Sequence, residues 1–177
     1  MIEEKLKAII RDVPDFPSAG IMFKDITPLL QHADLVELAV EKFVEKLQGV
    51  EFDVIAGIES RGFLFGFLLA QRLNKPFIPI RKQGKLPYHT ISESYKLEYG
   101  QATIEMHEDA FPAGTRVLIH DDLLATGGTV VAASKLIEKL QGVVAAYCFV
   151  ISLDFLKSAG RLSRFSDQVF SLIHYEE

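Results

Sequence analysis

The chain has 177 residues, of which 49% are hydrophobic and 24% charged, with a net charge of −5 and a pI near 5.6. That length and apolar content suit one globular domain with a sizeable core, residues 1–177. The acidic balance argues against general binding to nucleic acid or an anionic membrane, so a polyanionic ligand must be met by a local basic cluster.

The opening M-I-E-E-K-L-K-A-I-I-R mixes acids and bases on an amphipathic pattern and lacks the apolar core and cleavage site of a signal peptide. It predicts a helix over 2–11, with Ile2, Leu6, Ile9 and Ile10 on one face, ended before Pro14. Residues 15–30, D-F-P-S-A-G-I-M-F-K-D-I-T-P-L-L, read as an irregular loop that carries Phe16, Ile21, Met22 and Phe23. On the residues alone, a hydrophobic flap packed on the core accounts for it better than a binding segment. Asp34 is placed to cap a helix over 35–48, with Gly49 at its exit. A buried strand over 53–57 follows, then Ile58-Glu59-Ser60-Arg61-Gly62, and then an apolar helix over 63–73 in which Gly66 marks close packing. The free amides at that helix start, with Arg61 beside them, suit an anion. The plain alternative for Arg61 is a surface ion pair.

A strand over 77–80 completes a β-α-β unit, and beyond it lies the longest irregular stretch, 81–101, with Arg81, Lys82 and Lys85 close together. This is the local basic cluster that an acidic protein needs for a polyphosphate. Loops of that length are commonly lids or binding segments, though a solvated loop also fits. Residues 103–106 suit a strand, and Pro112-Ala113-Gly114 a turn. Then comes the most informative run, R-V-L-I-H-D-D-L-L-A-T-G-G-T-V-V-A-A-S, residues 116–134. Val117, Leu118 and Ile119 predict a buried strand closed by Asp121 and Asp122, and small and apolar residues after Gly128 predict a helix over 128–140. Between them Ala125, Thr126, Gly127, Gly128 and Thr129 read as a phosphate cradle, because glycines permit close backbone approach just before a helix N-terminus. An acidic pair beside an anion loop is odd unless it addresses something else, such as vicinal hydroxyls or a Mg²⁺ ion held jointly with the ligand. Neither G-x-x-x-x-G-K-[ST] nor G-x-G-x-x-G occurs, which excludes the two commonest nucleotide loops.

A strand over 143–153 gives the second β-α-β unit; its apolar run is too short for a membrane span. Its single cysteine, Cys148, reads as core rather than as a disulfide partner and fits the cytoplasm. Asp154 begins a short helix that stops at Gly160, and 169–173 form a last strand. The five histidines show no ligand spacing, which argues against zinc; His120 and His174 read as satisfied structural residues. Alternating strands and helices imply an α/β fold, a twisted, mostly parallel sheet flanked by helices with ligands at the carboxyl ends of its strands.

The acidic pair followed by A-T-G-G-T resembles the phosphoribosyl pyrophosphate signature of the type I phosphoribosyltransferases. Three further stretches are similar to adenine phosphoribosyltransferases of that family: D-F-P-x-x-G-I-x-F-x-D-I-T-P, S-R-G-F-L-F-G, and R-K-x-G-K-L-P with Y-x-L-E-Y-G. His120 departs from the pattern, standing where the family usually carries an apolar residue. The resemblance implies a transfer from phosphoribosyl pyrophosphate to adenine, giving AMP and pyrophosphate in purine salvage. It implies a type I phosphoribosyltransferase-like fold with a flexible hood, residues 81–101, over the site, and a purine-side segment, 1–33. It assigns Ala125, Thr126, Gly127, Gly128 and Thr129 to the 5′-phosphate, and Asp121 and Asp122 to the ribose and to a Mg²⁺ held mainly by the substrate. Ser60, Arg61, Arg81 and Lys85 fall to the pyrophosphate, Met22, Phe23, Lys24 and Leu123 to adenine, and Glu98 and Tyr99, in the hood, to catalysis. It also implies a homodimer.

Two rivals follow from the same residues. One is a phosphoribosyltransferase for a 6-oxopurine, and the other a non-catalytic regulator that senses phosphoribosyl pyrophosphate and binds nucleic acid. The regulator needs a basic face or an added module, and the acidic balance, with only about fifty residues before the first sheet strand, leaves little room for one. Pyrophosphate release with free bases separates all three.

Overall fold

The computed structural model describes residues 2–97 and 100–177. The elements run α1 (Ile2–Lys7), β1 (Arg11–Pro14), β2 (Met22–Asp25), a 3₁₀ turn (Thr27–Gln31), α2 (Ala33–Lys46), β3 (Val54–Ile58), α3 (Gly62–Arg72), β4 (Phe77–Lys82), β5 (Thr90–Lys96), β6 (Gln101–His107), β7 (Arg116–Leu124), α4 (Gly128–Lys139), β8 (Val143–Leu153), a 3₁₀ turn (Asp154–Leu156), α5 (Ala159–Leu162) and β9 (Val169–Tyr175). Seven strands form one sheet in the order β5-β6-β4-β3-β7-β8-β9, and β1 and β2 form a separate ribbon. The neighbours from β4 to β9 pair in parallel, while β6 runs antiparallel to both β4 and β5.

Strands covered on both faces read as continuous apolar runs, and here every residue of β3 is buried and nearly every residue of β8. Successive side chains point to opposite faces, so the sheet has two cores. Leu118, Cys148 and Val150 pack with Leu6, Phe43, Phe65 and Leu69 on one face. Val117, Ile119, Tyr147 and Phe149 pack with Val130, Ala133, Leu136 and Ile137 on the other. Helix α3 therefore covers the first face and α4 the second. From adjacent strands β3 and β7 the chain leaves in opposite directions, which opens a crevice between them at their carboxyl ends.

Several expectations are corrected. The first helix stops at Lys7 because Arg11–Pro14 pairs in register with Met22–Asp25, Arg11 facing Asp25, so a non-local partner overrides the amphipathic pattern. The same pairing turns part of the 15–30 loop into β2. Asp34 is not a cap: α2 begins at Ala33, with His32 before it accepting from the amides of Leu35 and Val36. The 81–101 stretch is not irregular throughout, since β5 pairs along its length with β6. Strand β7 does not close at the acidic pair but carries both aspartates within it and runs on to Leu124. The 154–160 helix is two short elements, and Gly160 lies inside the second.

His120 departs from the satisfied structural histidine expected at that position. It is fully buried, its Nδ1 lies 3.2 Å from Cys148 Sγ in register across β8, and its Nε2 has no partner among the described residues. Phe43 meets its ring edge-on, and a Cβ on Gly66 would stand 3.2 Å from its Cδ2. No charged group faces it from Phe43, Gly66 or Cys148, and burial holds its pKa down at about 4. Below pH 6.5 the unfolded chain protonates this histidine while the folded chain does not until about pH 4, so stability falls as pH drops through that window. His120→Leu removes the effect. Compared with that variant, the parent chain should lose on the order of 3 kcal/mol between pH 7 and pH 4, read from urea midpoints at each pH; parallel curves for the two proteins refute it.

Candidate active site

Two adjoining cavities open at the carboxyl ends of β3 and β7. The smaller, about 70 Å³, is lined by Asp121, Leu123 and the run Ala125 to Val130. The larger, about 300 Å³, is lined by Ile58, Glu59, Ser60, Arg61, Lys82, Tyr95, Asp121, Asp122 and Thr129. Asp121 and Thr129 border both.

The smaller cavity is a backbone cradle. Gly127 adopts φ +79°, a left-handed conformation that favours glycine, and thereby turns the chain from β7 into α4. The amides of Gly127, Gly128 and Thr129 meet no protein acceptor among the described residues. Free amides at a helix start, with the helix dipole behind them, attract an anion.

The larger cavity mixes both signs of charge. Asp122 is almost fully buried and accepts from Arg61 Nε at 2.5 Å, while its own amide donates to Asp121 Oδ1 at 2.8 Å. Burial, reinforced by the Asp122 charge, pushes the Asp121 carboxyl well above the usual carboxylate range. Thus the pair carries less negative charge than its sequence suggests. Arg61 also lies over the Phe23 ring, 4.9 Å from its centroid, and Phe16 packs edge-on against that ring. The ion-pair alternative for Arg61 is therefore present, but its partner is the candidate site's own aspartate. Hard oxygen donors at the cavity edge suit Mg²⁺, and the described residues hold no group of three or more ligating side chains.

The other predicted residues are placed unevenly. Ser60 lines the larger cavity and Leu123 the smaller. Arg81 is turned to Glu59, with Nε 3.2 Å from its carboxylate, and its Nη1 donates to the Lys85 carbonyl at 3.0 Å. Lys85 lines neither cavity; Lys82 does, and its amide donates to Glu59. Alternation along β2 sends Phe23 one way and its neighbours the other, so Lys24 reaches Asp12 and the Tyr175 ring while Met22 is exposed. Glu98 and Tyr99 lie outside the described residues. Sequence reasoning passed over Glu59, Lys82 and Tyr95; Lys82 stood in the basic cluster, and Tyr95 opens the Y-x-L-E-Y-G stretch.

A parallel sheet with an anion cradle and an acid pair at one strand end, facing an arginine loop at the next, is the arrangement of an enzyme that handles a phosphorylated sugar. The chain matches the phosphoribosyl transferase domain over residues 24–169. An adenine phosphoribosyltransferase from Cytophaga hutchinsonii is 51% identical over 175 residues, 99% of this chain and 97% of that one. The crystal structure of the adenine phosphoribosyltransferase from Thermoanaerobacter pseudethanolicus superposes with a TM-score of 0.94 at 47% identity, covering 99% and 100% of the two chains. That from Saccharomyces cerevisiae, complexed with an imino-altritol bisphosphate and adenine, gives 0.88 at 40% identity, covering 97% and 98%. This chain belongs to the adenine phosphoribosyltransferase family.

The crevice depends on close backbone approach at Gly62, where a Cβ would stand 2.9 Å from the His120 carbonyl oxygen and 3.2 Å from Asp121 Cα. Backbone yields little, so Gly62→Ala must lever Arg61 and the start of α3 away from the acid pair. The variant should lose about 1–3 kcal/mol of stability, the usual cost of overpacking, and at least tenfold in kcat/KM. Denaturant midpoints and initial rates check both, and wild-type values for either contradict the account.

Proposed function

We infer that this protein is an adenine phosphoribosyltransferase, joining adenine to phosphoribosyl pyrophosphate to give AMP and pyrophosphate in purine salvage. The observation that carries the reading is the meeting of the amide cradle, the acid pair and Arg61 in two adjoining cavities. In this account Ala125, Thr126, Gly127, Gly128 and Thr129 receive the 5′-phosphate, and Asp121 and Asp122 address the ribose hydroxyls. Ser60 and Arg61 hold the pyrophosphate from the floor of the larger cavity, with Arg81 and Lys85 at the root of the β5–β6 hairpin. Asp121 and Asp122 would stand nearest to a Mg²⁺ carried mainly by the substrate, which would supply positive charge against the leaving pyrophosphate.

Breaking the bond at the anomeric carbon develops positive charge on the ribose and negative charge on the leaving group. The protein must therefore position the reactants, exclude water and stabilise charge. Glu98 is assigned to manage the purine proton near N7, with Tyr99 beside it in sequence. Phe23 offers the stacking face for adenine, beside Leu123. In this account the base is read by those backbone groups of Met22, Phe23 and Lys24 that face away from β1. The Saccharomyces cerevisiae relative, crystallised with adenine, supports that choice of base.

A homodimer in the cytoplasm completes the reading. Leu64, Phe67 and Leu68 of α3 are exposed together with Leu30, an apolar face suited to a second copy. The lone cysteine, Cys148, is free and buried, as suits a reducing compartment. No helix among the described residues is long and apolar enough to cross a membrane.

Adenine offers N1 as acceptor and its 6-amino group as donor, and a 6-oxopurine offers the reverse. Fixed backbone groups cannot rotate to suit both. Two mismatches at roughly 1–3 kcal/mol each predict that kcat/KM for adenine exceeds that for hypoxanthine or guanine by about 30-fold to 10⁴-fold. Equal use of adenine and hypoxanthine removes the assignment of the base. Glu98→Gln keeps shape but loses the proton acceptor, so kcat should fall by about 10²-fold or more with the fold intact. A change of less than about threefold moves the role elsewhere.

A further inference from the structure

The phosphate cradle is braced from behind by a segment that belongs to no part of the machinery described above. After β8 the chain passes through the Asp154–Leu156 turn into α5, and Arg161 of that helix donates from Nη1 to the Thr126 carbonyl at 2.7 Å. Ser158, almost fully buried, packs where a Cβ on Gly127 would stand, 3.4 Å from its own Cβ. Arg161 is exposed, and no carboxylate lies within ion-pair distance of it among the described residues. Its charge is therefore uncompensated beside the loop.

The peptide unit joining Thr126 to Gly127 is planar, with its C=O and N–H pointing opposite ways. A donor that fixes the Thr126 carbonyl on one side therefore aims the Gly127 N–H at the other. That amide is one of those left free at the start of α4, lining the small cavity. A loop amide held in advance loses less freedom when an anion arrives, and a cation within a Debye length favours that anion further.

We propose that Arg161 is a positioning residue for the 5′-phosphate, holding the Thr126–Gly127 peptide so that the Gly127 amide faces the ligand. The inference rests on the reading of residues 125–129 as the 5′-phosphate cradle. The residue touches no reacting atom, so its removal should appear in ground-state binding of phosphorylated ligands alone. Arg161→Ala should raise KM for phosphoribosyl pyrophosphate and Kd for AMP about tenfold, the scale of a lost charged hydrogen bond. KM for adenine and Kd for adenosine should stay within about twofold, and Arg161→Lys should recover most of the loss. Because the side chain is exposed, the melting temperature should not move.

Titration calorimetry with AMP and with adenosine, on the parent chain, both Arg161 variants and Gly128→Pro, which deletes one cradle amide at the first position of α4 where proline is tolerated, separates the possibilities. Weaker AMP binding with unchanged adenosine binding in Arg161→Ala, restored by lysine, supports the proposal. If Gly128→Pro weakens AMP but Arg161→Ala does not, the cradle stands and the role of Arg161 is overturned. If neither affects AMP, the cradle reading falls and takes this inference with it. Equal weakening of AMP and adenosine, or failure of lysine to restore AMP binding, marks Arg161 as merely structural and overturns it as well.

Discussion

Adjacent parallel strands whose crossovers leave in opposite directions cannot close the space between their carboxyl ends. From β3 the chain turns into α3 on one face of the sheet, and from β7 it turns into α4 on the other. At the start of α4 the amides of Gly127, Gly128 and Thr129 meet no acceptor among the described residues, at the start of α3 those of Phe63 and Leu64 turn back to the Ser60 and Arg61 carbonyls, and both starts border the same crevice. How wide the crevice is depends on Gly62, whose lack of a side chain lets the loop after β3 lie against the His120 carbonyl. Only from there does Arg61 reach Asp122. The cavity, the ion pair and the cradle are consequences of one topological junction and one missing Cβ.

Electrostatically, the junction resolves an apparent contradiction. An acidic chain with two aspartates at its candidate site is a poor host for a polyphosphate, yet the structure removes much of that negative charge. Asp122 is neutralised by Arg61, and Asp121 is pushed by burial toward its protonated form. Arg61 also covers Phe23, so one side chain links the acid pair with the aromatic face assigned to the purine. Under the proposed function, a pyrophosphate group competes with Asp122 for that arginine. The β5–β6 hairpin is anchored beside the cradle by Glu93, which pairs with Lys135 and Lys139 of α4, and Tyr95 near its end lines the larger cavity. A covering element rooted on the same helix as the cradle suits chemistry that must exclude water.

Much of this was legible in the sequence, for definite reasons. Buried parallel strands are runs of apolar residues, so β3, β4, β7 and β8 announced themselves, and A-T-G-G-T after an acidic pair located the cradle. Pairing that depends on a distant partner did not show. Residues 8–11 continue the helical apolar pattern, and only the register with Met22–Asp25 makes Arg11 the start of a strand. In β5 the inward positions are Ile91, Glu93 and Tyr95, and the charged residue among them hides the period of two until its lysine partners on α4 are seen. The basic cluster was found as a cluster, but which cation faces the cavity was set by alternation along β4: Arg81 meets Glu59, and Lys82 lines the site. Arg161 carried no sequence signal, because its partner is a backbone carbonyl 35 residues away.

The central claim is that the loops after β3 and β7 form one substrate site, with the cradle taking the sugar phosphate and Arg61 the pyrophosphate. A crystal structure of the protein with Mg²⁺, phosphoribosyl pyrophosphate and an unreactive adenine analogue tests it most directly. The account predicts the 5′-phosphate on the amides of Gly127, Gly128 and Thr129, the pyrophosphate against Ser60 and Arg61, and the base on Phe23. A 5′-phosphate seated elsewhere, or a pyrophosphate that does not touch the 59–61 loop, contradicts it.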